Sequence, residues 1–435
     1  MKKVLLLVSV TIACFATAAS IAQTRLATPG SPLQGITPVE FEEFRLGLDD
    51  FMEVESAEEG LGPAFNATSC AVCHNVPAIG GAGTIAEMRA GRRNAQGEFE
   101  TLDASGETLF HLFSVPSHAC QAIVPEDANV FARRVPISLF GAGLVEAIPD
   151  ETIRALEDPF DRNGDGVRGR AAVVTDIATG NQRVGRFGWK AQHATLLAFG
   201  ADAYRNEMGI TNALFPLEAA FGISAATMRS CDRFPDPEDI PDPRTRRRGI
   251  DNFASFMRFL APVGREGIND RVRVGEQVFS AIGCATCHVP ILATGPSTNP
   301  LFDRKQLALF SDLLLHDVGT GDGIKQAAAA PNEIRTPALW GLRFRRPLLH
   351  DGSAGTAQDA IGRHREEAEL ARRGQNSTMI SWLLRPNVAT NCSSLIVTPS
   401  SRPRRCQLSK WAAYESTRTP STSKITPRTI VPNSS

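Results

Sequence analysis

The spacing of hydrophobic residues along the chain predicts two amphipathic helices. In each of two segments, large apolar side chains recur at helical intervals, so they fall on one face of a helix. Such a helix buries that face against the rest of the protein. The first helix is defined by Phe41, Phe44, Leu48 and Phe51, and the second by Phe253, Phe256, Met257 and Leu260.

The first 22 residues have the pattern of an export signal. Two lysines precede an apolar run from Val4 to about Ala19, and small residues follow it up to Ala22. We therefore expect cleavage near Ala22 and a mature protein that is soluble in the periplasm or otherwise exported. No later run reaches the roughly 18 apolar residues that span a bilayer, so we expect no transmembrane span after signal cleavage.

The composition is that of a globular protein. The 435 residues allow two or three domains, and 42% hydrophobic against 21% charged residues is enough to bury a core. The formal charge of −1 combines a basic C-terminal tail with a more acidic body. Because nucleic-acid binding needs a clustered basic excess on the folded body, we expect no nucleic-acid partner.

Four of the nine cysteines form two copies of the motif C-x-x-C-H, and both copies follow the pattern Phe-x-Ala-x-x. In this motif, two thiols three positions apart bond covalently to the vinyl groups of a haem, and the next imidazole reaches the iron. A redox dithiol or a zinc ribbon would not require a histidine after both pairs. The sequence therefore predicts two covalently attached c-type haems. The residues assigned to them are Cys70, Cys73 and His74 in the first copy, and Cys284, Cys287 and His288 in the second.

The repeated motif predicts a mainly α fold with two cytochrome c-like haem domains, because helices surround the flat apolar ring in such domains. A stretch rich in Pro, Asp and Arg, Pro235 to Arg248, is typical of a surface loop. We expect a signal peptide over residues 1–22 and an N-terminal domain with a large insertion over 35–262. A C-terminal domain is expected over 263–390 and a tail over 391–435.

The tail and two remaining cysteines leave alternatives open. Residues 391–435 contain 21 Ser, Thr or Pro among 45 positions, which is too little apolar surface for a core. This segment is either a natural disordered tail or the product of out-of-frame translation. Cys120 and Cys231 either form a disulfide bond in an oxidising compartment or remain two buried thiols.

A short acidic segment resembles the opening of a calcium loop. Asp161, Asn163 and Asp165 offer oxygen ligands at alternate positions, and Gly166 permits the tight turn. The twelfth position is Ala172 instead of the bidentate glutamate that closes such a loop. The segment is therefore either a calcium site or a plain Asp/Gly turn.

Over roughly residues 38 to 372, the chain resembles the bacterial di-haem peroxidase superfamily and, most closely, its di-haem oxidoreductase branch. Several stretches carry this resemblance, and they occur in the family's order. They are Glu59–Asn66, Leu139–Glu146, Gly185–Lys190, Asn206–Thr211, Asp312–Gly319, Arg335–Gly341 and Leu349–Gly352.

The resemblance implies an activity and its partners. In the related peroxidases, the N-terminal haem meets hydrogen peroxide, and the C-terminal haem receives electrons from a small cytochrome or copper protein. We therefore expect a periplasmic di-haem peroxidase with such a redox protein as its donor. The alternatives are a di-haem oxidase of an organic or protein side-chain substrate and a plain electron-transfer cytochrome.

The resemblance also implies roles for an aromatic residue and two acids. Trp189 resembles the tryptophan between the two haems, where it would relay electrons, and the alternative is a core aromatic. Glu207 resembles the distal glutamate that moves a proton between the peroxide oxygens. Glu146, near two glycines that permit close approach to a ring, is a competing acid. For both acids the alternative is a solvated charge.

The same resemblance assigns the iron ligands. His74 and His288 would bind the two irons from the proximal side. His364 resembles the position where the peroxidases place a methionine, so it is the candidate sixth ligand of the second haem; otherwise it is an exposed helix histidine. The peroxidases also hold calcium between their haems, partly through an asparagine that is replaced here around Gly141. Calcium is therefore left open as a further cofactor.

Overall fold

The helices of the protein are short. A computed structural model describes residues 27–375, apart from 103–105, 116–119, 219, 221–222, 233, 235 and 237–239. The α-helices there are α1 (Pro38–Met52), α2 (Cys70–Cys73), α3 (Ala142–Glu146), α4 (Asp150–Arg154), α5 (Leu196–Ala203), α6 (Ala225–Cys231), α7 (Gly249–Phe259), α8 (Asp270–Ala281), α9 (Ala357–Arg363) and α10 (Glu369–Gln375). A π-helical turn, Tyr204–Met208, continues α5, and 3-10 turns occur at Ala57–Glu59, Cys284–Thr286, Leu342–Phe344 and Glu366–Ala368.

The strands are also short and form small antiparallel sheets. They are β1 (Ala64–Phe65), β2 (Glu87–Arg93), β3 (Phe99–Glu100), β4 (Leu109–Phe110), β5 (Phe113–Ser114), β6 (Val130–Arg134), β7 (Val173–Thr175), β8 (Gln182–Val184), β9 (Leu292–Ala293), β10 (Gln306–Leu307), β11 (Leu315–His316) and β12 (Ile334–Arg335). In a four-stranded sheet, β2 pairs with β3, β4 and β6. The two-stranded sheets are β1 with β5, β7 with β8, β9 with β10, and β11 with β12.

The expected mainly α fold is wrong, because the described residues form a mixed α/β structure. Helices account for 29% of them and strands for 14%. Much of the strand lies between the two C-x-x-C-H motifs, where burial alternates along β6 and so follows the two-residue period of a strand. Nothing in the described elements shows two cytochrome c domains. The proposed boundary after residue 262 stays a prediction.

Both helices predicted from the apolar spacing are confirmed, as α1 and α7, and they pack against each other. The rings of Phe51 on α1 and Phe256 on α7 lie 4.7 Å apart between centroids. Gly47 allows this approach, because a Cβ there would lie 2.1 Å from the carbonyl oxygen of Asn252. Phe41, on the predicted face, is 47% exposed. Since α1 also contacts α2, this helix pair supports the first C-x-x-C-H motif.

Cys120 and Cys231 form a disulfide bond between residues 111 positions apart. The structure thus selects one of the two alternatives that the sequence left open. Both cysteines are buried, in a small cluster with Ala64, Ala220 and Met228. Because so small a cluster buries little apolar surface, we infer that the disulfide supplies much of the stability of this region.

Replacing both Cys120 and Cys231 with alanine is expected to lower the free energy of unfolding by about 3 to 5 kcal/mol. The reason is that the cross-link restricts the unfolded chain over a long loop. Urea denaturation of the variant and of the wild-type protein measures the difference. Wild-type protein unfolded with a reducing agent is the matched control and should behave like the variant. An unchanged midpoint in the variant would contradict the prediction.

The expected export signal (1–22) and the expected tail (391–435) lie outside the described residues and stay predictions. Among the residues that the structure describes, we find no helix with the length and apolar character needed to cross a membrane.

Candidate functional site

The first C-x-x-C-H motif begins on α2, a single helical turn. The Ser69 side chain caps this turn by accepting a hydrogen bond from the amide of Ala71 at 3.3 Å. His74 follows the turn, and its Nδ1 lies 3.0 Å from the carbonyl oxygen of Gly81. Because a carbonyl oxygen only accepts, Nδ1 carries the proton and Nε2 carries the lone pair. Burial lowers the pKa of His74, which keeps the imidazole neutral.

The second motif repeats this arrangement on the 3-10 turn Cys284–Thr286. Nδ1 of His288 lies 3.0 Å from the carbonyl oxygen of Phe310, and burial lowers the pKa of His288 to about 4. Nε2 is again the nitrogen with the lone pair. A neutral imidazole whose other nitrogen is held by a carbonyl group is ready to bind a metal ion. Two thiols and one such imidazole in each motif fit a haem.

A cavity lies against the first motif. Its volume is about 190 Å³. Most of its lining is apolar, and a few polar side chains converge within it, as is usual for a small-molecule site. Cys70, Cys73 and His74 of the motif line the cavity, together with Asn66, Glu87, Arg89, Arg134 and Glu207.

Glu207 and Glu87 form a carboxyl pair in this cavity. Burial raises the pKa of Glu207 well above its ordinary value, and the charge and hydrogen bond of Glu87 raise it further. Although burial favours the neutral form of Glu87 as well, Arg89 and Arg134 lower the pKa of Glu87 below its ordinary value. The two shifts therefore favour the proton on Glu207 and the negative charge on Glu87.

Two arginines keep Glu87 charged. Nε and Nη2 of Arg89 lie 2.6 Å and 3.1 Å from the two carboxylate oxygens of Glu87, which is a bidentate ion pair. Nη1 of Arg89 also donates to the hydroxyl group of Thr108 at 3.0 Å, which orients the guanidinium. Arg134 adds a second positive charge 3.9 Å from the same carboxylate. This pairing explains why the two glutamates differ in charge.

The π-helical turn Tyr204–Met208 places Glu207 in the cavity. The turn ends at Gly209, which has a φ of 71° and so terminates the helix with little strain. The amides of Asn66 and Ala67 donate to the carbonyl oxygen of Glu207 at 2.7 Å and 3.2 Å. The side-chain amide of Asn66 donates to its carboxyl group at 3.1 Å. The segment that precedes the first motif therefore fixes the position of Glu207.

Of the two acids predicted from the sequence, Glu207 lines the cavity and Glu146 does not. The carboxylate of Glu146, at the end of α3, accepts hydrogen bonds from the amide of Leu196 at 2.7 Å and from Nε of Arg258 at 3.1 Å. Glu146 therefore caps α5 and pairs with an arginine. The geometry favours Glu207 as the acid next to the first motif.

Glu87 is absent from the residues predicted from the sequence. The sequence feature that could have identified Glu87 is the Glu-x-Arg spacing at the start of β2, because alternate residues of a strand point to the same face. That spacing indicates an ion pair between Glu87 and Arg89. It does not indicate that Glu207, from a distant part of the chain, comes to lie beside them.

Trp189 lines the same cavity and is held in one orientation. Its Nε1 donates to the carbonyl oxygen of Val135 at 2.8 Å, and 7% of its surface is exposed. Its ring centroid lies 6.2 Å from that of His350. The side chain is thus both a packed core aromatic and a neighbour of the first motif. Its role as an electron relay stays a prediction.

His364 lies near the second motif, directly after α9. Its Nδ1 is 2.8 Å from the carbonyl oxygen of Ala360, so its Nε2 carries the lone pair. Glu367, three residues after His364, lies 2.9 Å from Nδ1 of His316, and that nitrogen lies 3.8 Å from Sγ of Cys287 in the second motif. The structure therefore brings the two predicted ligands of the second haem into one region. Ligation of iron by His364 stays a prediction.

His316 lies beside the second motif as a buried cation. Its Nε2 is 2.8 Å from Asp312 and its Nδ1 is 2.9 Å from Glu367. Burial opposes its charged form, but these carboxylates raise the pKa of His316 well above its ordinary value. Ligand atoms of Cys287, Asp312 and His316 lie within 4.8 Å of one another. An imidazolium that donates from both nitrogens leaves no lone pair for a metal ion.

The candidate calcium loop is an exposed turn closed by its own backbone amides. Asp161 accepts from the amide of Gly166 at 3.0 Å, and Asn163 accepts from the amide of Asp165 at 2.9 Å. Asp165 in turn accepts from the amide of Val167 at 2.9 Å. These contacts are typical of Asx turns. Calcium binding by Asp161, Asn163 and Asp165 stays a prediction.

One family model matches more than half of the chain. The family is described as "Di-haem oxidoreductase, putative peroxidase", and the match extends over residues 110–379. This range contains Trp189, Glu207 and the second C-x-x-C-H motif, whereas the first motif precedes it. No curated protein sequence matches the chain.

Two solved structures are also similar. One is hydrazine synthase from Kuenenia stuttgartiensis under 20 bar of xenon, with 16% identity, 87% of this chain and 99% of that chain covered, and a TM-score of 0.35. The other is a MauG-like protein associated with microbial copper homeostasis, with 15% identity, 52% of this chain and 75% of that chain covered, and a TM-score of 0.24.

Proposed function

Because the chain belongs to the di-haem oxidoreductase family, we propose that it reduces hydrogen peroxide to water with electrons from a small redox protein, a cytochrome c or a cupredoxin. The haems are attached covalently at the two C-x-x-C-H motifs, and the enzyme acts in the periplasm or otherwise outside the cytoplasm. The observation that carries this proposal is the pair of Glu207 and Glu87 in the cavity beside His74.

The chain's own residues prepare both sites for haem. Bound haem iron supplies the redox chemistry by which the O–O bond of peroxide is broken. His74 presents the lone pair of Nε2 because the carbonyl group of Gly81 holds its other nitrogen. His288 does the same through Phe310. His364, which follows α9, is the proposed sixth ligand of the second iron, which would then be closed to peroxide.

The carboxyl pair performs the proton transfers. Reduction of hydrogen peroxide to two water molecules consumes two electrons and two protons. Ionised Glu87 accepts a proton from one peroxide oxygen, and Glu207 donates its proton to the departing oxygen. A proton shift along the hydrogen bond between the two residues then restores the original state. The pair, rather than Glu207 alone, serves as both acid and base, and the protons consumed overall come from solvent.

Trp189 provides the electron path into the cavity. Its indole ring lines the cavity and makes an edge contact with the ring of His350, at 6.2 Å between centroids. The hydrogen bond to Val135 fixes the ring. A rigid, buried indole needs little rearrangement when it takes part in electron transfer.

The test is addition of hydrogen peroxide to the purified protein after maturation in a host that attaches haem. We expect a rapid change in the haem absorption spectrum, followed by steady oxidation of a reduced cytochrome c or cupredoxin at two equivalents per peroxide. Two low-spin irons whose spectra do not respond to peroxide would contradict the proposal and support a plain electron-transfer cytochrome.

A second candidate function is oxidation of an organic or protein side-chain substrate. The observation that favours it is the contact of Trp189 with His350, because His350 also lines an outer cleft of about 720 Å³. Trp189 thus connects the inner cavity with a surface large enough for a substrate. Peroxide-dependent oxidation of such a substrate without turnover of a reduced redox protein would support this second function.

A further inference from the structure

A buried tyrosine and a buried glutamate form a second pair near the cavity, and the tyrosine is the first residue of the π-helical turn. The hydroxyl group of Tyr204 donates a hydrogen bond to Oε1 of Glu55 at 3.0 Å. Only 1% of the surface of Tyr204 and 6% of that of Glu55 are exposed. The amide of Glu55 donates to the carbonyl oxygen of Thr68 at 2.8 Å. Both partners are therefore buried, and the backbone of Glu55 is bound to Thr68, two residues before the first C-x-x-C-H motif.

This pair lies one side chain away from the cavity. The ring of Tyr204 makes an edge contact with the ring of Phe253, at 4.8 Å between centroids. Phe253 lines the cavity, as do Ala203, which precedes Tyr204, and Asn206, two residues after it. The same turn carries Glu207. An electron on the phenol ring therefore has only a short distance to cross to reach the cavity.

Oxidation of a buried phenol requires an acceptor for its proton, because the phenol becomes a strong acid when it loses an electron. Glu55 is in place to accept it. Burial raises the pKa of Glu55 to about 7, the hydrogen bond from Tyr204 lowers it, and the charges of Glu53, Glu59 and Asp50 raise it. Near neutral pH, a substantial fraction of Glu55 is therefore ionised and able to take the proton.

We propose that Tyr204 is a redox-active residue, which gives one electron to the first haem centre after peroxide has oxidised that centre, while its phenolic proton passes to Glu55. The O–H bond of Tyr204 breaks, an O–H bond forms on Glu55, and the oxidised centre gains one electron. An electron from the external donor and the return of the proton restore the phenol. This inference rests on the proposed reaction with peroxide.

Electron paramagnetic resonance of the haem-loaded protein, frozen shortly after mixing with peroxide, tests the inference. We expect the signal of a tyrosyl radical. This signal should become narrower when the protein is produced with ring-deuterated tyrosine. The chain contains two tyrosines, Tyr204 and Tyr414, so the assignment needs only two variants. Tyr204→Phe should abolish the signal, and Tyr414→Phe, the matched control, should retain it.

Replacing Glu55 with glutamine tests the proton step. Glutamine keeps the shape and can still accept a hydrogen bond, but it cannot take up the proton, so the radical yield should fall at least about tenfold. In the wild-type protein, the yield should rise as the pH increases through 7, and this dependence should disappear in Glu55→Gln. A merely structural pair would change the unfolding midpoint and leave the yield and its pH dependence unaltered.

The outcomes separate this inference from the proposed function. A radical that survives in Tyr204→Phe, or its absence in wild-type protein whose haem spectrum does respond to peroxide, overturns the role of Tyr204 and leaves the peroxidase proposal intact. A haem spectrum that does not respond to peroxide overturns both. Loss of the radical in Tyr204→Phe, with the spectral response retained, supports both.

Discussion

Replacing Glu207 with glutamine is expected to slow peroxide reduction by about 100- to 10,000-fold, which is the usual contribution of a positioned acid or base. Glutamine keeps the size of the side chain and can still accept the hydrogen bond from Asn66. It holds no acidic proton, so the departing oxygen loses its donor. Steady-state kcat and KM for peroxide, with a saturating reduced redox protein, measure the effect.

Glu146→Gln is the matched comparison. In the wild-type protein, the carboxylate of Glu146 pairs with Arg258 and caps α5, and it does not line the cavity. We therefore expect the substitution to change kcat/KM by less than about threefold. If Glu146→Gln proved as damaging as we expect of Glu207→Gln while Glu207→Gln remained active, the assignment of the acid would have to be reversed.

The pH profile of the wild-type enzyme should reflect the same pair. Activity should fall as the pH rises through the raised pKa of Glu207, because the proton donor is then lost. It should also fall on the acid side as Glu87, with its lowered pKa, becomes protonated. Both limbs report the coupled pair rather than either residue alone. In Glu207→Gln, the alkaline limb should disappear, and a limb that persisted would belong to another group.

Removing the cysteines of one motif at a time is expected to remove one haem at a time. The variant Cys70→Ala/Cys73→Ala should lose one haem by mass spectrometry, about half of the haem absorbance, and the spectral response to peroxide. The variant Cys284→Ala/Cys287→Ala should also lose one haem. It should keep a first response to peroxide but lose steady turnover, because electrons no longer enter through the second site.

These paired variants control for each other, since both remove two thiols from a short turn. Circular dichroism of each variant checks that the remaining fold is intact. Wild-type protein from a competent host that carried no added haem mass at either motif would refute covalent attachment. A full response to peroxide in Cys70→Ala/Cys73→Ala would exchange the roles assigned to the two sites.

Local patterns in the sequence predicted local structure well. The apolar spacing around Phe51 and Phe256 predicted two helices because one helix face collects residues at that period. The structure confirms both and packs the two rings against each other. The C-x-x-C-H spacing likewise indicated the donor set, because its members are neighbours in the chain. Which nitrogen of His74 carries the proton could be assigned only from the structure, because the carbonyl group of Gly81 determines it.

Features that depend on distant segments were beyond the sequence. The mainly α expectation was wrong because the helical structure expected around the C-x-x-C-H motifs was assumed for the segment between them as well. That segment forms β2 and β6, whose pairing depends on long-range register. Glu87 was missed because its importance depends on Glu207 arriving beside it. Cys120 and Cys231 left two alternatives because their separation in the chain says nothing about their distance in space.

The backbone acceptors of the two motif histidines bear on the reduction potentials of the two centres. Gly81 and Phe310 present neutral carbonyl groups to the imidazoles, whereas a carboxylate in that place would draw the proton away and give the ring imidazolate character. The two rings are therefore held by the same kind of neutral acceptor, at the same distance of 3.0 Å. We therefore expect any difference in reduction potential between the two centres to arise from other groups around them, such as the carboxyl pair of Glu207 and Glu87 at the first motif.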